Sequence, residues 1–197
     1  VMAQTAPDGS ATNGINRRNI NQDGVTVDDL ENTIKAATVW ETTEYMNMWS
    51  VKFVAPDDTT LGYAQFPEGS GLAGLPSSGE EATTDGVVIR YQSFGTSDLD
   101  DGSFLLDAPY HLGRTATHEV GHWIGLRHIW GDGLGCNLGA PVPGCSCSED
   151  DFCEDTPNSD MANYGCPEDK TSPCNLIDDP MADPTEDMVE NYMDYSD

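Results

Sequence analysis

Thr117-His118-Glu119-Val120-Gly121-His122-Trp123-Ile124-Gly125-Leu126-Arg127-His128 carries the chemistry of this chain. It spells H-E-x-x-H-x-x-G-x-x-H, and each fixed position has a physical task. Residues four apart lie on one face of an α-helix, so His118 and His122 aim two imidazoles at one point. Neutral imidazole nitrogens so placed chelate zinc, which favours tetrahedral geometry. Glu119 is one residue round from His118, within reach of a water at the metal. A third ligand from the next turn of the same helix would point away, so the helix has to stop. Gly125 supplies the stop, because glycine takes the left-handed conformation at a helix C-terminus without a Cβ clash. The chain then returns His128 as a third ligand. Three histidines leave a fourth position open to water, the pattern of a catalytic zinc rather than a structural one. The competing reading is an ordinary helix with incidental histidines. Five specified positions make that coincidence roughly a one-in-ten-million event per position at average residue usage.

The rest of the chain bounds the setting. Its 197 residues suit one domain, compact or two-lobed. No apolar run reaches the length of a membrane span, so no membrane insertion is expected, and the N-terminus lacks the basic-then-apolar pattern of a signal peptide. The net charge is −27, from 35 acids against 8 bases. Such a field repels nucleic acid and anionic membranes, so neither is an expected partner. Part of the acid excess can serve calcium, a hard ion that takes oxygen ligands; the alternative is a solvated surface tuned to a salty medium. All 6 cysteines fall between Cys136 and Cys174. A second zinc site competes with disulfides there, but Cys145-Ser146-Cys147 lacks the usual spacing of two to four residues. An even count in a loop-rich segment points to disulfides and an extracellular, secreted setting.

In chain order, Val1 to Ala6 reads as the end of a strand, followed by a turn at Pro7-Asp8-Gly9-Ser10. Leu30, Ile34 and Ala37 predict a short helix within Asp28 to Trp40. Strands are predicted at Met46 to Ala55, at Leu61 to Phe66 and, most clearly, at Gly86 to Phe94, which is dense in β-branched and aromatic residues. Glu68 to Glu81 is a loop rich in Gly, Ser and Pro. The zinc helix is predicted over Leu112 to Leu126, with Thr115 or Thr117 near its start; the fourth histidine, His111, is a loop residue before it. From Gly131 onward the pattern dissolves into Gly, Pro, Asp, Asn and Cys, so disulfides and bound ions have to hold that part. The expected fold is α+β and two-lobed. An upper lobe of about 1–125 carries a mixed twisted sheet and the zinc helix, and an irregular lower lobe spans about 126–197, with the metal in the cleft between.

The histidine motif resembles that of the metzincin metallopeptidases, which pair it with a methionine-containing turn beneath the metal. Glu190-Asn191-Tyr192-Met193-Asp194-Tyr195 is similar to that turn and makes Met193 the floor under the three histidines. Gly113-Arg114-Thr115-Ala116-Thr117, His128-Ile129-Trp130-Gly131-Asp132, Asp155-Thr156-Pro157 and Gly165-Cys166-Pro167 resemble the pappalysin family within that clan. The resemblance runs from about Leu61 to the C-terminus. It implies a single metallopeptidase catalytic domain over 1–197, made as a propeptide-bearing precursor, secreted, with catalytic zinc and structural calcium. It also implies that the chain lacks the family's first strand and long first helix, and its closing helix. By the same resemblance Tyr195 swings toward the metal and stabilises the tetrahedral intermediate. Asp151, Asp155 and Thr156 are candidate calcium ligands, with the Glu154 carbonyl as a further candidate. Cys147–Cys174 matches one family bridge. The family's other bridge joins the cysteine of Gly165-Cys166-Pro167 to one beyond the methionine turn. No such residue follows here, so Cys166 is expected to pair with Cys153, and Cys136 with Cys145, although six cysteines leave fifteen pairings open.

The function these readings imply is endopeptidase activity on protein or peptide substrates, with Glu119 as general base toward a zinc-bound water. The substrate would add as a strand along Leu61-Gly62-Tyr63-Ala64-Gln65-Phe66. Two other classes compete: a zinc-binding but catalytically idle domain, and an acidic calcium-binding extracellular module.

Overall fold

The computed structural model describes residues 2–75, 81–131, 151–168, 170–174 and 183–196. Their contacts cluster into two units, Val1–Gln65 with Gly79–Glu119 and Phe66–Ser78 with Val120–Asp197.

In the first unit, Thr26 opens a helical segment with a capping box. Its hydroxyl accepts from the Asp29 amide at 3.1 Å, while the Asp29 carboxylate accepts from the Thr26 amide at 3.1 Å. The segment is not one regular helix. Val27–Asp29 (α1) leads into a π-helical stretch, Leu30–Ile34, and then Lys35–Thr38 (α2). Three strands form a mixed sheet: β1 (Met48–Val51) runs parallel to β3 (Val87–Arg90), and β2 (Gly62–Ala64) runs antiparallel to β3 on its other side. Val87, Val88 and Ile89 are fully buried, as a central strand of β-branched residues requires. Leu30, Val25, Phe53 and Val88 form the core, with Trp49 and Tyr63 packed on it. β2 and β1 are the sheet's edges among the described residues.

The strands are shorter than the apolar runs predict. Phe53 pairs alone with Val25 instead of extending β1, and Tyr91–Ser93 winds into a 3₁₀ turn after β3. Among the described residues 2–6 no strand forms; Thr5 and Ala11 make an isolated antiparallel bridge around the expected turn, closed by the Gly9 amide on the Ala6 carbonyl at 2.8 Å.

In the second unit the described residues carry one two-stranded antiparallel sheet, β4 (Thr171–Ser172) with β5 (Thr185–Glu186), which the sequence pattern does not signal. Ile129, Cys174 and Met193 are its buried apolar residues. A buried polar chain adds to them. Ser172 Oγ lies 2.6 Å from Asp187 Oδ1 and 2.9 Å from Asp160 Oδ1, and Asn163 bonds Asp194 through its amide (2.9 Å) and its Nδ2 (3.0 Å).

Two disulfide expectations meet the structure. Cys174 is disulfide-bonded, and Cys136, Cys145 and Cys147 lie outside the described residues. The expected Cys153–Cys166 bridge is corrected: both residues carry thiols. Cys153 is held within its own turn, its sulfur 3.8 Å from the Asp151 carbonyl, its amide on Asp151 Oδ1 and its carbonyl accepting from Thr156. Cys166 is exposed, next to the bridge that Gly165 makes with Ser196.

Candidate active site

α3 spans Arg114–Trp123, shorter at both ends than the predicted helix. At the front, Gly113 has φ +77°, a non-helical conformation. At the back the chain closes as the glycine predicts. Gly125 has φ +102°, its amide donates to the His122 carbonyl at 2.9 Å, and the Leu126 amide donates to the Gly121 carbonyl at 2.9 Å. That pair of bonds is a Schellman motif. Gly125 is required twice over, because a Cβ there would also fall 2.5 Å from Leu72 Cδ1.

The reversal brings His128 back beside the helix. The ligand atoms of His118, His122 and His128 all lie within 4.8 Å of one another. His122 Nδ1 is 2.8 Å from the Leu126 carbonyl, which can only accept, so Nδ1 carries the proton and Nε2 presents a lone pair. That Nε2 stands 3.1 Å from His128 Nε2. Two nitrogens of a tetrahedral zinc with bonds of about 2.0–2.1 Å are separated by about 3.3 Å, so the pair fits the ion. Among the described residues no second such group of His, Cys, Asp and Glu forms. Asp151, Asp155 and Thr156 lie close together in sequence in one loop, in which Asp151 is buried.

Glu119 is 6% exposed. Burial pushes its carboxyl up to about 8, since a buried carboxylate loses its hydration; a divalent cation nearby opposes that shift. One wall of its surroundings is β2. A Cβ placed on Gly62 would lie 2.8 Å from Glu119 Cγ and 3.0 Å from its Oε1.

Met193 is 5% exposed and lies directly under the helix. A Cβ on Gly121 would meet Met193 Sδ at 2.3 Å. Its turn is fixed by the Asn191 side chain, which accepts from the Met193 amide at 2.9 Å, and by the Met193 carbonyl, which accepts from the Ile129 amide at 3.2 Å. Tyr195 follows, half-open to solvent, its ring edge-on to His128 at 4.8 Å. Trp130 stacks flat on His128, with centroids 4.3 Å apart and planes 7° from parallel, and also meets Tyr195. His111 stays in its loop, Nδ1 2.9 Å from the Pro109 carbonyl.

Sequence reasoning placed Gly62 in the substrate-edge strand and Trp130 in a family-like stretch, but missed the contact of Gly62 with Glu119, the stacking of Trp130 on His128 and the Asn163–Asp194 pair. Trp130 had a signal, being a large aromatic two residues past a ligand on a tight reversal. The others had none, because their partners are remote in sequence.

Comparison with known proteins agrees with this geometry. The peptidase M43 model, described as pregnancy-associated plasma protein-A, matches residues 28–197. An extracellular metalloprotease of Colletotrichum graminicola is 37% identical over 147 residues, covering 74% of this chain and 41% of the relative. One of Verticillium alfalfae is 36% identical over 154 residues, covering 78% of this chain and 43% of the relative. The chain thus spans less than half the length of these two relatives. Mature mirolysin of Tannerella forsythia, in complex with a cleaved peptide, superposes with a TM-score of 0.71 at 37% identity, over 98% of this chain and 61% of that one. Matched by the family model over residues 28–197 and sharing the mirolysin fold, the chain belongs to the M43 family of peptidases, the pappalysins, within the metzincin clan.

Proposed function

We propose that this chain is the catalytic domain of a secreted, zinc-dependent endopeptidase. The observation that carries the proposal is the convergence of His118, His122 and His128 on one point, next in sequence to a buried carboxylate. The three imidazoles would hold the metal, His122 with its tautomer set by the Leu126 carbonyl. Zinc, when bound, supplies Lewis acidity, lowering a water's pKa toward neutrality and drawing electron density from a carbonyl oxygen.

This chain's residues do the rest. Glu119 takes the proton of the attacking water and passes it to the leaving amine, the shuttle that a carboxyl next in sequence to a metal ligand can perform. Tyr195, beside His128, donates its phenolic hydrogen to the oxyanion of the tetrahedral intermediate. The edge of β2, with the flanking residues from Leu61 to Phe66, pairs with an extended peptide and lays its scissile bond near Glu119. Secretion follows the relatives named as extracellular. A propeptide in the precursor follows a neighbour solved as promirolysin. A calcium ion in the turn of Asp151, Asp155 and Thr156 would stiffen a loop-rich stretch.

The experiment is cleavage of a fluorescence-quenched casein by purified protein, with zinc measured on the same sample. Stoichiometric zinc, loss of cleavage on chelation and its return with added zinc are expected. Glu119→Ala should keep zinc and fold while losing turnover by several orders of magnitude. Protein with bound zinc and no cleavage would be the idle domain, and protein with calcium but no zinc would overturn the proposal.

A further inference from the structure

We infer that Gly62 is a positioning residue for Glu119: the missing side chain in the edge strand is the space in which the base's own side chain sits. This rests on Glu119 acting as the base in the proposed hydrolysis.

Glycine is a poor choice for the interior of a strand, since it packs nothing and orders at a high entropic cost. Where it appears, either the backbone or the space needs it. The backbone does not need it at Gly62, which is outside the left-handed region and pairs in regular antiparallel register with Ile89. The space does. A Cβ would fall 2.8 Å from Glu119 Cγ, 3.0 Å from Glu119 Oε1 and 2.9 Å from the Val88 carbonyl, against an ordinary carbon–carbon contact of about 3.5–4.0 Å.

Something would have to move, and β2 is held from the other side. Successive side chains of a strand point to opposite faces, so Gly62 and Ala64 face Glu119 while Tyr63 faces the core. The Tyr63 hydroxyl donates to Glu31 Oε1 at 2.6 Å. Lys35 Nζ lies 2.6 Å from the same oxygen and 4.8 Å over the Tyr63 ring. The Tyr63 ring also meets Phe53 at 6.3 Å. Its backbone is bonded along β3. With the strand anchored on one face and one edge, an added methyl group presses on two neighbours, the fixed Val88 carbonyl and the Glu119 side chain, and of these the side chain is the one free to be displaced. The strand proposed to align the peptide therefore also sets where the base stands.

The test is a double-mutant cycle of Gly62→Ala and Glu119→Ala, read two ways. With the zinc-loaded full chain and the quenched casein, Gly62→Ala is expected to lower kcat on the order of a hundredfold, with KM within about twofold, because the base is misplaced while peptide binding is kept. With chelator-stripped protein, Gly62→Ala is expected to lower the Tm in the wild-type background and to lower it less beside Glu119→Ala, where the obstructing Cγ is gone and only the Val88 carbonyl contact remains. A wild-type kcat in Gly62→Ala, or an equal Tm loss in both backgrounds, overturns the inference. If Gly62→Ala alone does not fold, a folded double variant supports the inference and an unfolded one overturns it. Wild-type protein that binds zinc but cleaves nothing refutes the proposed hydrolysis, and the Tm cycle then decides by itself whether Gly62 makes room for Glu119.

Discussion

Gly121→Ala should act against its own helix propensity, and by an amount that the packing under the helix sets. Gly121 lies inside α3, where replacing glycine by alanine ordinarily stabilises by about 1 kcal/mol. Here the new Cβ would stand 2.3 Å from Met193 Sδ and 3.2 Å from its Cε. Relief requires the thioether to retreat by more than about 1 Å from a normal contact distance. Met193 is buried, and its backbone is bonded on both sides to Asn191 and Ile129, so only the side chain can give. Overpacking of this kind costs about 1–3 kcal/mol, toward the lower end for an unbranched methionine. The net expectation is a loss of about 0–2 kcal/mol rather than a gain of about 1. In a Met193→Ala background, itself destabilised by about 2–5 kcal/mol, the obstacle is gone and the same change should stabilise by about 1 kcal/mol. The sign should therefore reverse. Urea unfolding of the four chelator-stripped proteins, followed by circular dichroism, measures it, and the coupling should be about 1–3 kcal/mol. A stabilising Gly121→Ala in the wild-type background would show that Met193 does not press on the helix at this point.

Two more tests concern the first unit. Burial, then the hydrogen bond to Glu31, holds the Tyr63 phenol well above its ordinary value near 10, so the folded state keeps a proton that the unfolded state releases. That stabilisation is complete below about pH 10 and is lost as pH rises beyond it. A single group gives at most about 1.4 kcal/mol per pH unit, and the partial exposure of the ring narrows the pH window over which Tyr63 contributes it. Urea midpoints through that window should fall less steeply for Tyr63→Phe, and parallel curves would refute the assignment. Lys35 is 1% exposed, bonded to Glu31 Oε1 at 2.6 Å and to the Thr84 carbonyl at 3.1 Å, and set over Trp49 and Tyr63. Lys35→Ala should cost about 3 kcal/mol by stranding Glu31 and leaving a cavity, and Lys35→Met should cost clearly less by filling it. Higher stability for the alanine variant in urea would refute this.

What the sequence shows about the site is what local geometry can encode. His118 and His122 are four apart on a helix, and Gly125 and His128 follow from how a helix ends, so one short window carries the zinc ligands with no knowledge of the rest. Met193 and Tyr195 lie far along the chain and were readable only through resemblance; the structure sets Met193 against Gly121 and Tyr195 against His128. The mixed sheet was legible because Val87, Val88 and Ile89 are β-branched and buried. The β4–β5 pair was not, since Thr171–Ser172 and Thr185–Glu186 carry no alternation and their order comes from Ser172 bonding Asp187 and Asp160.

The helical segment near the N-terminus shows why a correct element can hide an incorrect face. A repeat of 3.6 residues predicts that Leu30, Ile34 and Ala37 point inward and leaves Lys35 to the solvent. The chain instead winds a π turn over Leu30–Ile34, with the Lys35 amide bonded to the Leu30 carbonyl five residues back. That extra residue puts Leu30 and Lys35 on one face, and these two are the fully buried ones, while Ile34 is only partly covered. The consequence reaches the site. Lys35 carries its ammonium to Glu31, which accepts from Tyr63, and Tyr63 stands next to Gly62 on the strand that walls Glu119. A regular α-helix here would turn Lys35 outward and leave Glu31 to hold Tyr63 without its cation. The backbone irregularity that sequence periodicity cannot register is thus part of what fixes the position of β2, and through β2 the room given to the base.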